Sequence, residues 1–519
     1  MAISIIPQPR SLAENGECFQ LKPTARIVIQ GEAARPAAEL LAEYLRVPTG
    51  YELPVVAGAD QTGDLRLQVT GTNTADDCGF YDETYRLEVT AQGVKLTGAS
   101  AAALARGIQT LRQLFPQEIY AAAKQEIAWN VPGCVVEDSP TVRWRGVMID
   151  VARHFFPVAQ VCRMIELAAQ LKLSVVHLHL TDDQGWRIEI KKYPKLTEVG
   201  SVRPRTMVGH YWDKPWKYDE TPYGGFFTQD DIRAIVAFAA KRCIAVVPEI
   251  DMPGHMVAAI AAYPELGNYP QHQLEVRDCW GISYNILNPK RETIAFMKDV
   301  LAEVAELFPA RFIDIGGDEA LKYEWEISKD AQEVMAANGI KKESELQHYF
   351  TNEMGNFLAS KGKRTIGWDD ILNPEMPADA AVMNWHGADI IKEAARLNRQ
   401  VVLTPHEFTY FDYYQADPKH EPLGIGGDLP LEKVYRFEPL DAAFSDAERA
   451  AILGAQAQLW AEYIPTPEHQ EYMAFPRLCA LAEKTWLCGS TPGYANFHQR
   501  LAKYYGVFAQ QKVNARPLE

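Results

Sequence analysis

Past Pro140 the chain repeats one local pattern eight times: a short apolar run that ends in polar residues or glycine. The runs are RGVMIDVAR, SVVHLHLTD, IAVVPEID, FIDIGGDE, RTIGWDD, AVMNWHG, QVVLTP and GAQAQLWAEY, with helical patterns between several of them. Strands that are apolar without alternation bury both faces, and helical crossovers impose parallel pairing. Eight such units across residues 139–519 predict an α/β fold, a (β/α)8 TIM barrel with its chemistry at the carboxyl ends of the strands. Residues 1–138 have a different texture. Leu65, Leu67 and Val69, then Tyr85, Leu87 and Val89, alternate as strands with one wet face do. Leu104, Ile108, Leu111 and Phe115 share one helical stripe, with Ser100 placed to cap it. A small α+β N-terminal domain is therefore expected before the barrel, joined to it at Asp138-Ser139-Pro140.

Charge and composition then exclude some functions. A formal net charge of −16 disfavours nucleic acid as a partner. No apolar stretch reaches the ~18 residues a membrane helix needs. None of the eight cysteines stands at CxxC spacing with another, so neither a thiolate zinc site nor a disulfide framework is implied. The start, MAISIIPQPRSL, has no basic segment followed by a long apolar core, so no signal peptide is visible. Nothing in the sequence specifies an oligomeric state.

The strand ends carry the chemistry. In chain order they offer Arg153-His154, Asp182-Asp183, Glu249-Ile250-Asp251 with His255, Asp318-Glu319, Trp368, Trp385, Tyr410-Phe411-Asp412, and Trp460-Ala461-Glu462. Carboxylates and arginine hold hydroxyls through charge-assisted hydrogen bonds, and indole faces bury the C–H faces of a pyranose. That mixture at one barrel mouth predicts a carbohydrate ligand. The adjacent acids Asp318 and Glu319 pose a difficulty. In extended chain they would point to opposite sides, which does not suit the flanking pair of carboxylates that most retaining glycosidases use.

The segments RGVMIDVARHFFP, HLHLTDDQGWR, PEIDMPGH, GGDE and QAQLWAEY, in this order, resemble the β-N-acetylhexosaminidases of glycoside hydrolase family 20. The opening IIPQPRSL resembles the start of that family's N-terminal domain. The resemblance implies an exo-acting, retaining enzyme that needs no cofactor and removes terminal β-linked GlcNAc or GalNAc from glycans or chito-oligosaccharides. In that scheme the sugar's own 2-acetamido oxygen attacks the anomeric carbon, and water opens the resulting oxazolinium ion. Glu319 is then the acid and base, with its neighbour's charge favouring the protonated form. Asp318 accepts the acetamido N–H and stays charged, and Tyr410 donates to the acetamido oxygen. Trp368 and Trp385 wall that group, Trp460 floors the ring, and Arg153, Asp412 and Glu462 take the hydroxyls. Asp182, Asp251 and His255 form a supporting polar chain that holds Glu319 and Arg153. A further aromatic is expected between Asp412 and Trp460, where only Tyr435 and Phe437 stand nearby.

Two other readings stay open on the sequence. His177 and His179 lie on one side of a strand, as in metal-dependent barrel hydrolases, although no further HxH or HExxH completes a ligand set. A sugar-binding relative without catalysis is the other. Glycan hydrolysis is commonly exported work, so a secreted, periplasmic or cell-surface protein with its leader removed is the expectation, with the cytoplasm as the alternative.

Overall fold

The structure is a computed structural model that describes residues 3–59 and 61–518. All eight apolar runs form strands of one barrel sheet: β1 (Trp144–Asp150), β2 (Val175–His179), β3 (Ala245–Glu249), β4 (Phe312–Asp314), β5 (Arg364–Ile366), β6 (Ala381–Asn384), β7 (Gln400–Leu403) and β8 (Ile452–Leu459). They pair in parallel in the order β5-β4-β3-β2-β1-β8-β7-β6. Between β5 and β6 the ring closes through a parallel bridge from Trp368 to Met383, with the Met383 N–H donating to the Gly367 carbonyl at 2.7 Å. Burial on both faces, rather than alternation, is what made these strands legible. Every residue of β1, β2, β4, β5, β6 and β8 is buried.

Helices Val158–Gln170, Gln229–Lys241, Arg291–Leu307 and Glu343–Ser360 supply crossovers for the first half of the barrel. The link from β5 to β6 holds only a short 3-10 turn, Asp369–Ile371, so these strand ends stay close together. Each strand's polar residues follow its last apolar one, which delivers the chemistry-bearing side chains to the carboxyl end.

The N-terminal region is a seven-stranded mixed sheet under two helices, Arg35–Thr49 and Ala101–Leu114. Tyr85–Thr90 alternates inward and outward, and Ser100 caps the second helix by accepting from the Ala103 N–H at 3.1 Å. This sheet packs beside the amino-terminal ends of the barrel strands, away from the mouth. The seam is ionic. Glu83 accepts from Arg106 at 2.6 Å and from Arg145, on β1, at 2.5 Å, while Lys172 donates to Asp138 at 2.9 Å.

Candidate active site

A cavity of about 590 Å³ opens at the carboxyl end of the barrel. Asp318, Glu319, Tyr410, Arg153, Trp368, Trp385, Asp412, Trp460 and Glu462 all line it, as does His255. Asp182 and Asp251 are buried and line no part of it.

The turn that presents the two adjacent acids is not extended. Strand β4 stops at Asp314, and the chain then passes through positive φ at Gly316 (62°), Gly317 (107°) and Glu319 (48°). Glycine is required there for space as well as torsion. A Cβ on Gly316 would lie 1.8 Å from Oδ1 of Asp251, and one on Gly317 would lie 2.2 Å from Ile371. The expectation that Asp318 and Glu319 diverge rested on extended chain, and the left-handed turn overrides it. Both carboxylates face the cavity, at 3.6 and 3.5 Å respectively from Nε2 of His255.

The two acids are held differently. The Glu319 side chain is 35% exposed and that of Asp318 only 14%. Oδ1 of Asp318 has no hydrogen-bond partner among the described residues. Burial pushes the Asp318 carboxyl up; His255 opposes this, Glu319 and Glu249 add to it, and the outcome is about 7. The sequence argument had Asp318 charged throughout. Its ionised form is instead penalised, because burial and the neighbouring carboxylates outweigh the one imidazolium of His255.

Below the acids runs a chain of buried polar groups. His255 meets Oδ1 of Asp182 at 3.2 Å. Burial disfavours the imidazolium, but Asp182, Glu319 and Asp318 outweigh it and hold His255 well above the ordinary histidine range. The other oxygen of Asp182 lies 2.7 Å from Arg153 and 2.9 Å from His179. One carboxylate thus ties the Glu319 end of the cavity to the Arg153 end. Asp251 accepts from the Gly317 N–H at 3.0 Å, which fixes the turn itself. His179 uses its other nitrogen on Glu249 at 2.6 Å, and Glu249 accepts from the Trp368 indole at 2.9 Å. His177 sits 3.1 Å from the same glutamate and 3.0 Å from the Gln456 amide. Neither His177 nor His179 lines the cavity, and both are at most 1% exposed. An ion held by them would offer a substrate no open coordination position, which removes the geometry the metal-hydrolase reading needs.

At the far end Arg153 is already braced, donating to Asp150 (3.1 Å) and Gln184 (3.1 Å) as well as pairing with Asp182, and lying 5.1 Å from the Trp460 ring centre. Neither oxygen of Asp412 has a partner among the described residues. Burial and then Glu462 push Asp412 well above the ordinary carboxylate range. Burial likewise raises Glu462, with Arg153 opposing and Asp150 adding. A buried acid without donors beside a second, half-buried one is a receptor for hydroxyls. Trp460 lies 5.5 Å from Trp368 and 6.3 Å from Tyr410, ring centre to ring centre. Trp385 donates to Asp370 at 3.2 Å. Burial, Asp412 and Asp318 together push the Tyr410 hydroxyl well above its usual range, so it stays a donor.

The sequence marks the Trp-rich stretch HYWDKPWKYDETPYGG at 210–225 as shaping the leaving-group side but not the path it takes, and it does not single out Trp280 or Tyr463. Tyr211 and Trp212, from the 210–225 loop, line the mouth together with Trp280 and Tyr463. Tyr211, Trp212 and Trp280 stand in segments without strand or helix periodicity, whereas Tyr463 closes the eighth apolar run, next to Glu462. The extra aromatic expected after Asp412 is not supplied by either neighbour. Tyr435 donates to Glu483 at 2.9 Å and stacks on Phe497, and Phe437 stacks on Phe408. The segment presents Ile425 and Tyr413 to the cavity instead.

Comparison with known proteins agrees with this geometry. The profile of the glycosyl hydrolase family 20 catalytic domain matches residues 142–488, and that of the family's domain 2 matches residues 2–139. A β-hexosaminidase of Porphyromonas gingivalis is 40% identical over 501 residues, covering 96% of this chain, which spans 62% of that relative's length. A β-hexosaminidase of Vibrio furnissii is 35% identical, covering 92% of this chain and 76% of its own. Among solved structures, the β-N-acetylhexosaminidase of Streptomyces coelicolor superimposes with a TM-score of 0.84 at 32% identity, covering 99% of this chain and 98% of its own. A mutant Streptomyces plicatus β-hexosaminidase in complex with its product GlcNAc gives the same TM-score at 32% identity, with coverage of 99% and 97%. The chain belongs to glycoside hydrolase family 20, with the catalytic barrel and the preceding domain of that family in their usual order.

Proposed function

We propose that the protein is an exo-acting, retaining β-N-acetylhexosaminidase that releases terminal β-linked GlcNAc, or GalNAc, from glycans and chito-oligosaccharides. The observation that carries this reading is the placement of Asp318 and Glu319 on one turn, on one side of the cavity, within reach of one imidazolium. Such a pair does not flank a glycosidic bond from opposite faces, which suits the scheme the family resemblance implies, in which the nucleophile comes with the substrate. The GlcNAc complex of the Streptomyces plicatus relative supports a 2-acetamido sugar as the ligand.

In this scheme the acetamido arm enters between Trp368, Trp385 and Trp460. Its N–H meets the orphaned carboxylate of Asp318, and its oxygen accepts from Tyr410 while closing on the anomeric carbon. The C–O bond to the leaving group breaks as Glu319 gives that oxygen its proton. The oxazolinium ion carries the positive charge that buried Asp318 lacks in the empty site, so ionised Asp318 is stabilised as the ring closes. Glu319, now a carboxylate, takes a proton from water, which opens the ion and restores the β configuration. His255, pinned by Asp182, orients Glu319 and stabilises its anionic form in this second step. Arg153, Asp412 and Glu462 bind the hydroxyls distant from the bond, and acids placed on those hydroxyls close off further subsites on that side, hence exo action.

A panel of aryl β-glycosides tests the reading. GlcNAc and GalNAc glycosides should turn over, and the glucoside, without the acetamide, should react at least ~10³-fold more slowly, a loss expected when the nucleophile itself is removed. A thiazoline mimic of the cyclic ion should bind at least ~10²-fold more tightly than GlcNAc. Comparable rates on the glucoside would exclude the scheme.

A further inference from the structure

Arg153, Asp412 and Glu462 line the cavity on the side of the distant hydroxyls, and Glu319, the acid for the leaving oxygen, lines it together with Leu321 and Tyr284. Tyr284 lines this cavity and also a second, shallower depression of about 470 Å³ formed with Tyr269, Tyr323, Glu324 and Ile327. Resting on the hexosaminidase reading, we infer that this depression is a subsite for the leaving portion of the substrate, an oligosaccharide of at least two pyranose units beyond the cleaved bond.

Direction comes from the chain itself. Tyr323 follows Glu319 by four residues, and Leu321, between them, lines the cavity. The group that gives its proton to the leaving oxygen and the aromatic surface therefore stand on one loop. Whatever leaves from Glu319 passes over that loop. The depression is also costly to expose without an occupant. Tyr284, Tyr323 and Ile327 are 62%, 56% and 55% exposed and adjoin one another, where soluble surfaces scatter such residues. The two tyrosine rings stand 6.2 Å apart at 77°, forming a corner rather than a flat strip. Aromatic faces of this kind bury the C–H faces of sugars.

The segments that carry the rings are tied together. Glu324, itself buried, accepts from the Asn285 amide at 2.8 Å, from the Asn268 amide at 3.0 Å and from the Ile286 N–H at 3.2 Å. Each tyrosine is the sequence neighbour of one member of that cluster: Tyr269 of Asn268, Tyr284 of Asn285, Tyr323 of Glu324. Beneath, the buried Trp325 indole donates to the Leu287 carbonyl at 2.9 Å. One carboxylate thus gathers three separate segments so that their rings share a wall. A preorganised wall continuous with the cavity fits a substrate subsite better than a chance apolar patch.

The test compares chitotetraose with 4-nitrophenyl β-GlcNAc, whose leaving group is one aryl ring rather than three sugars. For Tyr323→Ala, the ratio of kcat/KM on chitotetraose to that on the aryl glycoside should fall about tenfold. Tyr323→Phe should restore the ratio, since the ring and not the hydroxyl carries the contact. An unchanged ratio, with both substrates cleaved, overturns the subsite and leaves the enzymatic reading standing. Failure of the wild type to cleave the aryl glycoside overturns the enzymatic reading instead. Calorimetry with chitotetraose on Glu319→Gln, with and without Tyr323→Ala, reads the same contact as a weakening of Kd. Concentration-dependent self-association abolished by Tyr323→Ala would assign the patch to a second copy of the chain and overturn the proposal.

Discussion

Glu83, at the seam between the N-terminal sheet and the barrel, and Asp318, at the barrel mouth, are both buried carboxylates. Burial should raise the pKa of each. At Glu83 two guanidinium groups, Arg145 and Arg106, outweigh burial and hold the acid below its ordinary range. The same holds at Asp138, paired with Lys172, and at Glu166, paired with Arg112 and Arg242. At the mouth the balance is reversed. Asp318 is pushed up to about 7, and Asp412 lies well above the carboxylate range. The seam is electrostatically complete and the mouth is not. The difference separates charges that hold a structure together from charges whose partner arrives with the substrate.

The largest way to break this contrast is Glu319→Gln. On substrates with poor leaving groups kcat should fall by about 10³–10⁴, the upper part of the range for a general acid. The loss should be much smaller on activated aryl glycosides, which need little protonation. Thermal stability should hardly change, because the side chain is 35% exposed and bonded to no structural partner other than His255. Steady-state rates on both substrate types and a melting curve check this; equal losses on both would remove Glu319 as the acid.

Glu83→Gln is the mirror image. Removing one member of a buried, paired cluster strands the charges of Arg106 and Arg145, at a cost of about 3–5 kcal/mol. The folded variant should retain kcat, since Glu83 lies at the opposite end of the barrel from the cavity. Denaturant melts and initial rates measure the two effects separately. Loss of kcat without loss of stability would mean that the seam and the mouth are coupled.

These two positions also mark what the sequence discloses. The eight strands were legible because each is a buried apolar run with its polar residues at one end, which placed Arg153, Asp318, Trp368, Tyr410 and Glu462 around one mouth. The direction of Asp318 was not legible, since it depends on three successive departures from extended geometry at residues 316, 317 and 319. Its raised pKa was not legible either, because that depends on which neighbours bring charge and which bring only burial. The walls supplied by Tyr211 and Trp280 come from loops, whose paths are set by tertiary contacts rather than by local pattern. Glu83 carries no sequence signal at all. Its partners lie 23 and 62 residues away.

The smallest effect discriminates best between the two kinds of charge: Asp318→Asn followed by stability against pH. Well below about pH 4 the aspartate is protonated in both the folded and the unfolded chain and costs nothing. Between about pH 4 and 7 the unfolded chain has lost that proton and the folded chain has kept it, so each pH unit favours unfolding. Above about pH 7 the penalty is complete. Asparagine does not ionise, so the variant escapes it. The variant should therefore be more stable than the parent at pH 8, by on the order of 2 kcal/mol, and the gap should shrink as pH falls and close only below about pH 4. That figure is below the full value of the shift because the cavity side of the carboxyl meets water. At the seam the sign is opposite. Glu83 has a lowered pKa, so its contribution is present above about pH 4.5 and fades as pH falls through the folded value. Glu83→Gln should thus cost most at pH 8 and least near pH 3. Melting both variants across this range should give curves that diverge from the parent in opposite directions at high pH. Curves that ran parallel would show that Asp318 is compensated in the empty enzyme after all, and that the mouth holds no charge waiting for its substrate.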